Sequence, residues 1–527
     1  MRAVNVNPAP ASAGVSLGLR RFLYGTAATT GAAILVIEIL GAKMLTPYVG
    51  TSHFVWTAQI AVTLISLAAG YWFGGWLVDR SPDLRRLYTC VLLAGLYLCF
   101  TVPFTAHVAF LTLRLPLPIG SLLASLFLFF VPLTLLATVG PFVIRVLTSA
   151  VAGVGGTVGR LSAVSTLGSV AGTVLIGYVL IPLMPNSWTM FATAGVLMAL
   201  AVFYFAIWGK AGAAGRVLLV TVLALVGGGV GIKTQDHPWS EYLREVARRH
   251  SYFGELQVFE PEDGSHRYYL NDYLPQNNYD PAAKQSISLF TYGLHGLAQR
   301  YAKSIDDVLC IGLGVGIVPM EFVRDGARVD VVEINEAVVP LAVEYFDLET
   351  AKMQISIGDG RQFVDASSKS YDVIILDAFV GDAAPSHLMT REAFAAMRRI
   401  LRPDGVLVIN CLGDFAPGWD FLTASMEQTL QAVFGAVRIH AVGAGNVFFV
   451  ATPAAELVQR RELNFDAMHP NVRERMREIV ANVRETDPRS GRVLTDDFNP
   501  VEFHDAPNRE RMRRRLVEWM HPETDGI

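Results

Sequence analysis

Residues 307–318 read DVLCIGLGVGIV, residues 329–335 VDVVEIN, residues 355–363 ISIGDGRQF and residues 371–377 YDVIILD. Each apolar run is short, rich in Val and Ile, and ends in glycine or an acid. Buried parallel strands have this composition, because both their faces are covered and their carboxyl ends open on a ligand crevice. The pattern therefore predicts one nucleotide-binding half of an α/β sheet. Glu333, Asp359 and Asp377 gather on its carboxyl edge. Gly312, Gly314 and Gly316 let the backbone approach a ligand, and the following helix N-terminus favours polar groups there. Glu333 closes the second strand, where a carboxylate accepts from both hydroxyls of a ribose. Asp359 stands beside the expected adenine, or caps a helix starting at Arg361. Asp377 ends the fourth strand at the presumed reaction centre. Downstream, MRRILRPDGVLVINC (397–411) reads as helix, turn and strand.

Outward from this stretch the composition changes. The 527-residue chain is 52% hydrophobic and 17% charged, with a mean hydropathy of +0.38. Soluble domains carry about 25% charged residues, so part of the chain is expected in lipid. Apolar runs near 25–46, 55–78, 87–111, 119–147, 161–183, 187–208 and 215–232 are mostly long enough to cross a bilayer, which takes about 20 residues. Pro132 and Pro141 predict a kink or break in the fourth; the seventh is short. Arg20, Arg21, Arg80, Arg85, Arg86, Arg145, Arg160, Lys210 and Arg216 fall on alternate loops, which places the N-terminus in the cytoplasm. Seven crossings would then put the C-terminal half outside, where adenosyl cofactors are scarce. A cytoplasmic catalytic half on the inner membrane is favoured instead, which requires an even count. Glu38, inside the first run, is a functional carboxylate or a bond to a neighbouring helix. Gly168 and Gly172 have the spacing of a close helix contact, and His53 and Trp56 read as interface anchors.

A net charge of -4 argues against a nucleic-acid partner. The four cysteines lack metal-ligand spacing, so no metal is expected. The first apolar run is too long for a cleavable signal. The expected organisation is a transmembrane helical domain over 1–232, a β-hairpin region with a lead-in helix over 233–300, and a Rossmann-like domain of methyltransferase type over 301–527. In the middle region WSEYLREVARRH (239–250) reads as amphipathic. YFGELQVFEP (252–261) and HRYYLNDYLPQNN (266–278) read as a hairpin about EDGS. KQSISLFTYGLHGLAQRYA (284–302) reads as helical.

Residues 307–411 resemble the spermidine synthases (polyamine aminopropyltransferases), especially their membrane-fused bacterial relatives. EILGAKMLTPYVGTSHFVWT (38–57), GYWFGGWLVDR (70–80), STLGSVAGT (165–173) and LTDDFNPVEF (494–503) extend the likeness. The resemblance implies a membrane-anchored transferase whose donor is decarboxylated S-adenosylmethionine or S-adenosylmethionine. Gln276, Gly312, Gly314, Gly316, Glu333, Asp359, Gly360 and Asp377 would bind that donor. Tyr292 and His295 fall near the family's substrate-contacting tyrosine and histidine. It also implies a homodimer formed through the hairpin region.

Three positions depart from the family. Val315 replaces an aspartate facing the donor's amine end, the acid pair after Gln276 is replaced around Asp280 and Pro281, and Val380 replaces the catalytic aspartate. Asp382, two residues on, would substitute as a catalytic and substrate-binding group with Asp377, or serve a turn. A cationic polyamine needs several carboxylates. Their loss leaves open an amine or a lipophilic acceptor, methyl rather than aminopropyl transfer, and a nucleotide- or polyamine-sensing domain that regulates a transporter.

Overall fold

The computed structural model describes residues 15–50, 53–148, 154–210, 212–235, 243–272, 274–378 and 385–520. Packing divides the chain into two compact units, one from Met1–Leu45 and Phe54–His237, the other from Thr46–His53 and Pro238–Ile527.

The first unit is helical: α1 (Leu17–Val49), α2 (His53–Arg80), α3 (Leu84–Thr112), α4 (Leu117–Ala137), α5 (Val139–Leu147), α6 (Val154–Leu175), α7 (Ile181–Leu183), α8 (Asn186–Trp208) and α9 (Ala213–Gln235). A π turn at Ile176–Leu180 joins α6 to α7. Among the described residues seven stretches are long and apolar enough to cross a membrane. These include both doubtful ones, Leu117–Leu147 and Ala213–Gly231. The even count that a cytoplasmic catalytic half requires is therefore not supplied. The fourth stretch breaks at Thr138, three residues before Pro141. The proline ring lacks the N–H that would reach the Ala137 carbonyl and crowds that carbonyl instead. Pro132 leaves α4 continuous.

Small residues set the crossing of α1 and α6. A Cβ on Gly168 would lie 2.1 Å from the Ala28 carbonyl oxygen, and one on Gly172 would lie 2.8 Å from Ala32 Cα. Ser169 Oγ donates to the Gly31 carbonyl across the same contact, at 3.0 Å. Replacing Gly168 with Val forces two backbones apart, at a cost of about 2–3 kcal/mol. An unfolding temperature about 5–10 °C lower in detergent is expected; an unchanged temperature would show that the helices do not pack this closely. Glu38 of α1 lies near the Thr63 side chain of α2, whose hydroxyl donates to the Gln59 carbonyl at 2.9 Å.

The second unit opens with β1 (Leu243–Ser251), β2 (Gly254–Pro261), β3 (Arg267–Asn271), β4 (Leu274–Asp280) and β5 (Gln285–Ser286), an antiparallel meander in that order. The expected hairpin is its β2–β3 pair, and the amphipathic segment 239–250, which its sequence assigns to no element, supplies β1. From Leu243 on this segment is a strand, registered from Leu243↔Pro261 to Ser251↔Gly254. Arg248 bridges Glu245 at 2.6 Å and Glu255 on β2 at 3.3 Å. The ladder and its cross-strand ion pairs are tertiary gains that local periodicity does not register.

The main sheet follows: α10 (Leu289–Tyr301), β6 (Asp307–Ile311), α11 (Ile317–Arg324), β7 (Arg328–Glu333), α12 (Val338–Tyr345), β8 (Gln354–Ile357), α13 (Gly360–Ala366), β9 (Tyr371–Leu376), α14 (Arg391–Ile400), β10 (Leu401–Gly413), α15 (Phe421–Gln431), β11 (Ala436–Ala441), β12 (Gly445–Thr452), α16 (Pro470–Ala481), β13 (Val483–Arg484) and α17 (Val501–Met520). Its strand order is β13-β11-β12-β10-β9-β6-β7-β8. The strands β6 to β10 run parallel, and β12 returns antiparallel against β10. The fold is thus an α/β methyltransferase-like sheet. The expected turn in RPDG is a register shift inside β10, between Leu401 and Val406.

Residues alternate across the sheet as a strand requires. On β6, Val308 and Cys310 join the core under α10, α11, α12 and α16, while Leu309 and Ile311 join the core under α13, α14 and α15. Each such side chain, fully buried, stabilises the fold by roughly 1.5–3 kcal/mol. At the amino end of β6, Asp307 is clasped by Arg328 and Arg402 at 2.8 and 2.7 Å, which holds its carboxyl well below the usual range. The carboxyl ends are left to the ligand. The order of strands along the sheet reverses between β6 and β9, the place where such sheets open a crevice.

Candidate active site

Gly312 occupies that reversal point. Its φ of 98° lies in the left-handed region, and a Cβ there would sit 2.3 Å from the Asp377 carbonyl oxygen. Only glycine lets the end of β6 lie against the end of β9 so closely. The chain then turns through Gly314 and enters α11. Beside it opens a cavity of about 650 Å³, lined among others by Gln276, Gly312, Gly314, Val315, Glu333, Asp359, Gly360 and Asp377. Sites for small molecules typically enclose roughly 300–1,000 Å³.

The acids differ in what surrounds them. Glu333 is half-buried at the end of β7; its Oε2 accepts from Leu313 N–H at 2.8 Å and its Oε1 from Asn335 N–H at 2.7 Å. Burial raises its pKa and the backbone donors pull the other way. These bonds fix the carboxylate against the glycine turn. Asp359 caps the helix that follows it, one of its two expected readings, and also lines the cavity. Its Oδ1 caps α13 by accepting from Gln362 N–H at 2.9 Å, and its Oδ2 meets His387 Nε2 at 3.0 Å. Burial alone would raise this carboxyl, but the N–H bonds and His387 outweigh it and leave its pKa lowered.

Asp377 is the outlier. Burial pushes its pKa up to about 6, and a hydrogen bond from Asn410 only partly offsets that. The bond runs from Asn410 Nδ2 to Asp377 Oδ1 at 3.0 Å, and Asn446 Nδ2 in turn donates to Asn410 Oδ1 at 3.0 Å. A carboxyl titrating near 6 suits proton acceptance at neutral pH.

Other candidates lie elsewhere. Gly316 is not part of the cavity wall; it caps α11 with φ 83° and packs on Leu348. Tyr292 and His295 of α10 are not part of the cavity wall. The Tyr292 hydroxyl donates to the Ser286 carbonyl at 2.7 Å, and His295 Nε2 pairs with Asp325 Oδ2 at 2.7 Å. The wall takes Ser288, Leu289, Phe290 and Thr291 from the start of that helix instead. Asp280 caps its own turn, accepting from Ala282 and Ala283 N–H at 2.8 Å. Val380 and Asp382 lie outside the described residues.

The structure adds groups that sequence reasoning missed. Asn410, Asn446 and His387 line the cavity, as do Asn271, Asn277 and Asn278 from the meander. Asn410 had a legible signal, a lone amide inside the apolar run VLVINCL. The C-terminal LTDDFNPVEF segment braces the loop that carries His387. Asp496 accepts from Thr390 Oγ1 at 2.6 Å and pairs with Arg361 at 3.1 Å, while Asn499 Nδ2 donates to the Ser386 carbonyl at 2.8 Å.

The chain is similar to known proteins over its C-terminal part. An N-terminal histidine N-methyltransferase of Emericella nidulans is 35% identical over 150 residues, covering 28% of this chain and 26% of that protein. A polyamine aminopropyltransferase of Vibrio vulnificus is 37% identical over 109 residues, covering 20% and 36%. The chain thus spans only a quarter to a third of these relatives. The solved spermidine synthase of Thermotoga maritima aligns with a TM-score of 0.35 at 19% identity, over 52% of this chain and 88% of that one. Residues 292–415 match the family model for the spermine/spermidine synthase domain, so the C-terminal part of the chain carries a domain of that family.

Proposed function

We propose that the protein is a membrane-anchored transferase that moves an alkyl group from an adenosyl sulfonium donor to an amine nitrogen. The observation that carries this reading is Asp377: a carboxyl raised to about 6, in the wall of one cavity with Glu333 and Asp359. Glu333 would hold the ribose hydroxyls, and Asp359, Gly360 and Gln276 the rest of the nucleoside. Asp377 takes a proton from the acceptor's ammonium. The freed nitrogen lone pair forms a bond to the carbon on sulfur, and the carbon–sulfur bond breaks with its electron pair left on sulfur. Proximity and proton removal are enough for such a displacement. The matched domain supports aminopropyl transfer, for which the donor would be decarboxylated S-adenosylmethionine and Asp382 would be a second carboxylate.

A specific observation favours a second reading, methyl transfer from S-adenosylmethionine. Val315, 2% exposed, belongs to the hydrophobic core where a carboxylate would meet the donor's amine end. Among the described residues the cavity wall carries the amides Asn271, Asn277, Asn278, Asn410 and Asn446 beside Asp377. The Emericella relative carries a methyltransferase name. The seven candidate spans support anchoring in a bilayer, which suits a lipophilic or membrane-delivered acceptor.

Product analysis separates the readings. Purified full-length protein is incubated with each donor and a panel of putrescine, spermidine and mono-amine acceptors. Methylthioadenosine marks aminopropyl transfer, and S-adenosylhomocysteine marks methyl transfer. Tight donor binding with neither product would overturn the enzymatic reading in favour of a sensing domain.

A further inference from the structure

We propose that Asn446 and Asn410 form a directional amide relay that fixes how Asp377 receives its proton, making both of them positioning residues. This rests on the proposed transfer to an amine. The relay crosses three neighbouring strands. Ile409 of β10 pairs with Leu376 of β9, which brings the next residues, Asn410 and Asp377, side by side at the cavity edge. Asn446 of β12 lies opposite Leu412 on the far side of β10.

The hydrogen-bond sense is set along the line. A carboxamide has one donating and one accepting end. Asn410 spends its Oδ1 on the Asn446 N–H, so its Nδ2 must face Asp377. Asn410 is 6% exposed, so a flipped amide would leave buried groups unpaired, which is costly. An N–H aimed at Asp377 Oδ1 keeps that oxygen an acceptor. The proton from the nucleophile therefore goes to Oδ2, and the O–H so formed lies away from Asn410. The same bond stabilises the ionised form and limits how far burial raises the carboxyl.

The test uses Asn410→Asp, which keeps the shape but reverses the bond, and Asn446→Leu, which frees the Asn410 amide. A Leu at position 410 controls for lost packing. On the acid side, the kcat/KM profile of wild type falls with the titration of Asp377. In Asn410→Asp two carboxyls meet at hydrogen-bond distance, so this limb is expected to move up by about one pH unit or more. A kcat about 100-fold lower, with donor affinity unchanged, should accompany it. Asn446→Leu should move the limb in the same direction by about half a unit, and Asn446→Gln should restore it. Profiles superimposable on wild type, with only the unfolding temperature lowered, would overturn the relay.

If wild type releases neither product, the transferase reading fails and the relay is read without turnover. Asp377 has its pKa raised by folding, so wild type loses stability relative to Asp377→Asn as pH rises from about 4 to about 6. In Asn410→Asp and Asn446→Leu backgrounds that window should extend upward. An unchanged window overturns the relay on its own.

Discussion

Replacing Asp377 with Asn is expected to lower kcat by about 10²- to 10⁴-fold, the range lost when a positioned general base is removed. The change is isosteric, and Gly312, which packs against the Asp377 backbone, is untouched. Donor affinity should therefore stay within about threefold, and the effect should fall on kcat. The pH dependence follows from the raised carboxyl. Asp377 must be ionised to accept a proton, and its pKa is about 6, so wild-type activity should fall as pH drops through 6 and level off above 7. In Asp377→Asn the residual rate should lose that limb. Initial rates between pH 5 and 9 check both statements. A variant with wild-type turnover would remove Asp377 from the chemistry and leave the cavity a binding site.

The second large effect is on binding. Glu333→Gln should weaken the adenosyl donor by about 100-fold. Hydrogen bonds to a charged group contribute about 1.5–3 kcal/mol, and the loss of about 2.8 kcal/mol is a factor of about 100 in Kd. The substitution also turns an N–H₂ towards one of the two backbone N–H groups, of Leu313 and Asn335, that the carboxylate now accepts. The glycine turn should loosen, and stability should fall by about 1–3 kcal/mol. Calorimetric titration of the full-length protein with S-adenosylhomocysteine measures the first effect, and thermal unfolding without ligand the second. Less than a threefold change in Kd would mean that the ribose is held elsewhere.

These two sites were readable in the chain for the same reason. Glu333 and Asp377 close apolar runs too short and too β-branched to be helices, and a strand's end points its last side chain at the crevice whatever surrounds it. The same logic placed Asp359 after a third strand. Tyr292 and His295 rested on the resemblance and not on a strand end; they bond Ser286 and Asp325 and do not line the cavity. Residues 243–250 read only as amphipathic, which fits either a helix or a strand, and the ladder to β2 decides for the strand. Gly316 was grouped with Gly312 and Gly314 by spacing, yet its open side is filled by Leu348.

What the sequence determined by itself is the class of the sheet, the seven apolar stretches, and the acids at three strand ends. Those follow from local composition and period, which each segment carries alone. The tertiary structure decided which side chains meet. Asn410 and Asn446 are 36 positions apart, and only the pairing of β10 with both β9 and β12 joins them to Asp377. It also decided the titration of that carboxyl, since desolvation depends on every group packed around it and no segment of the chain encodes that alone.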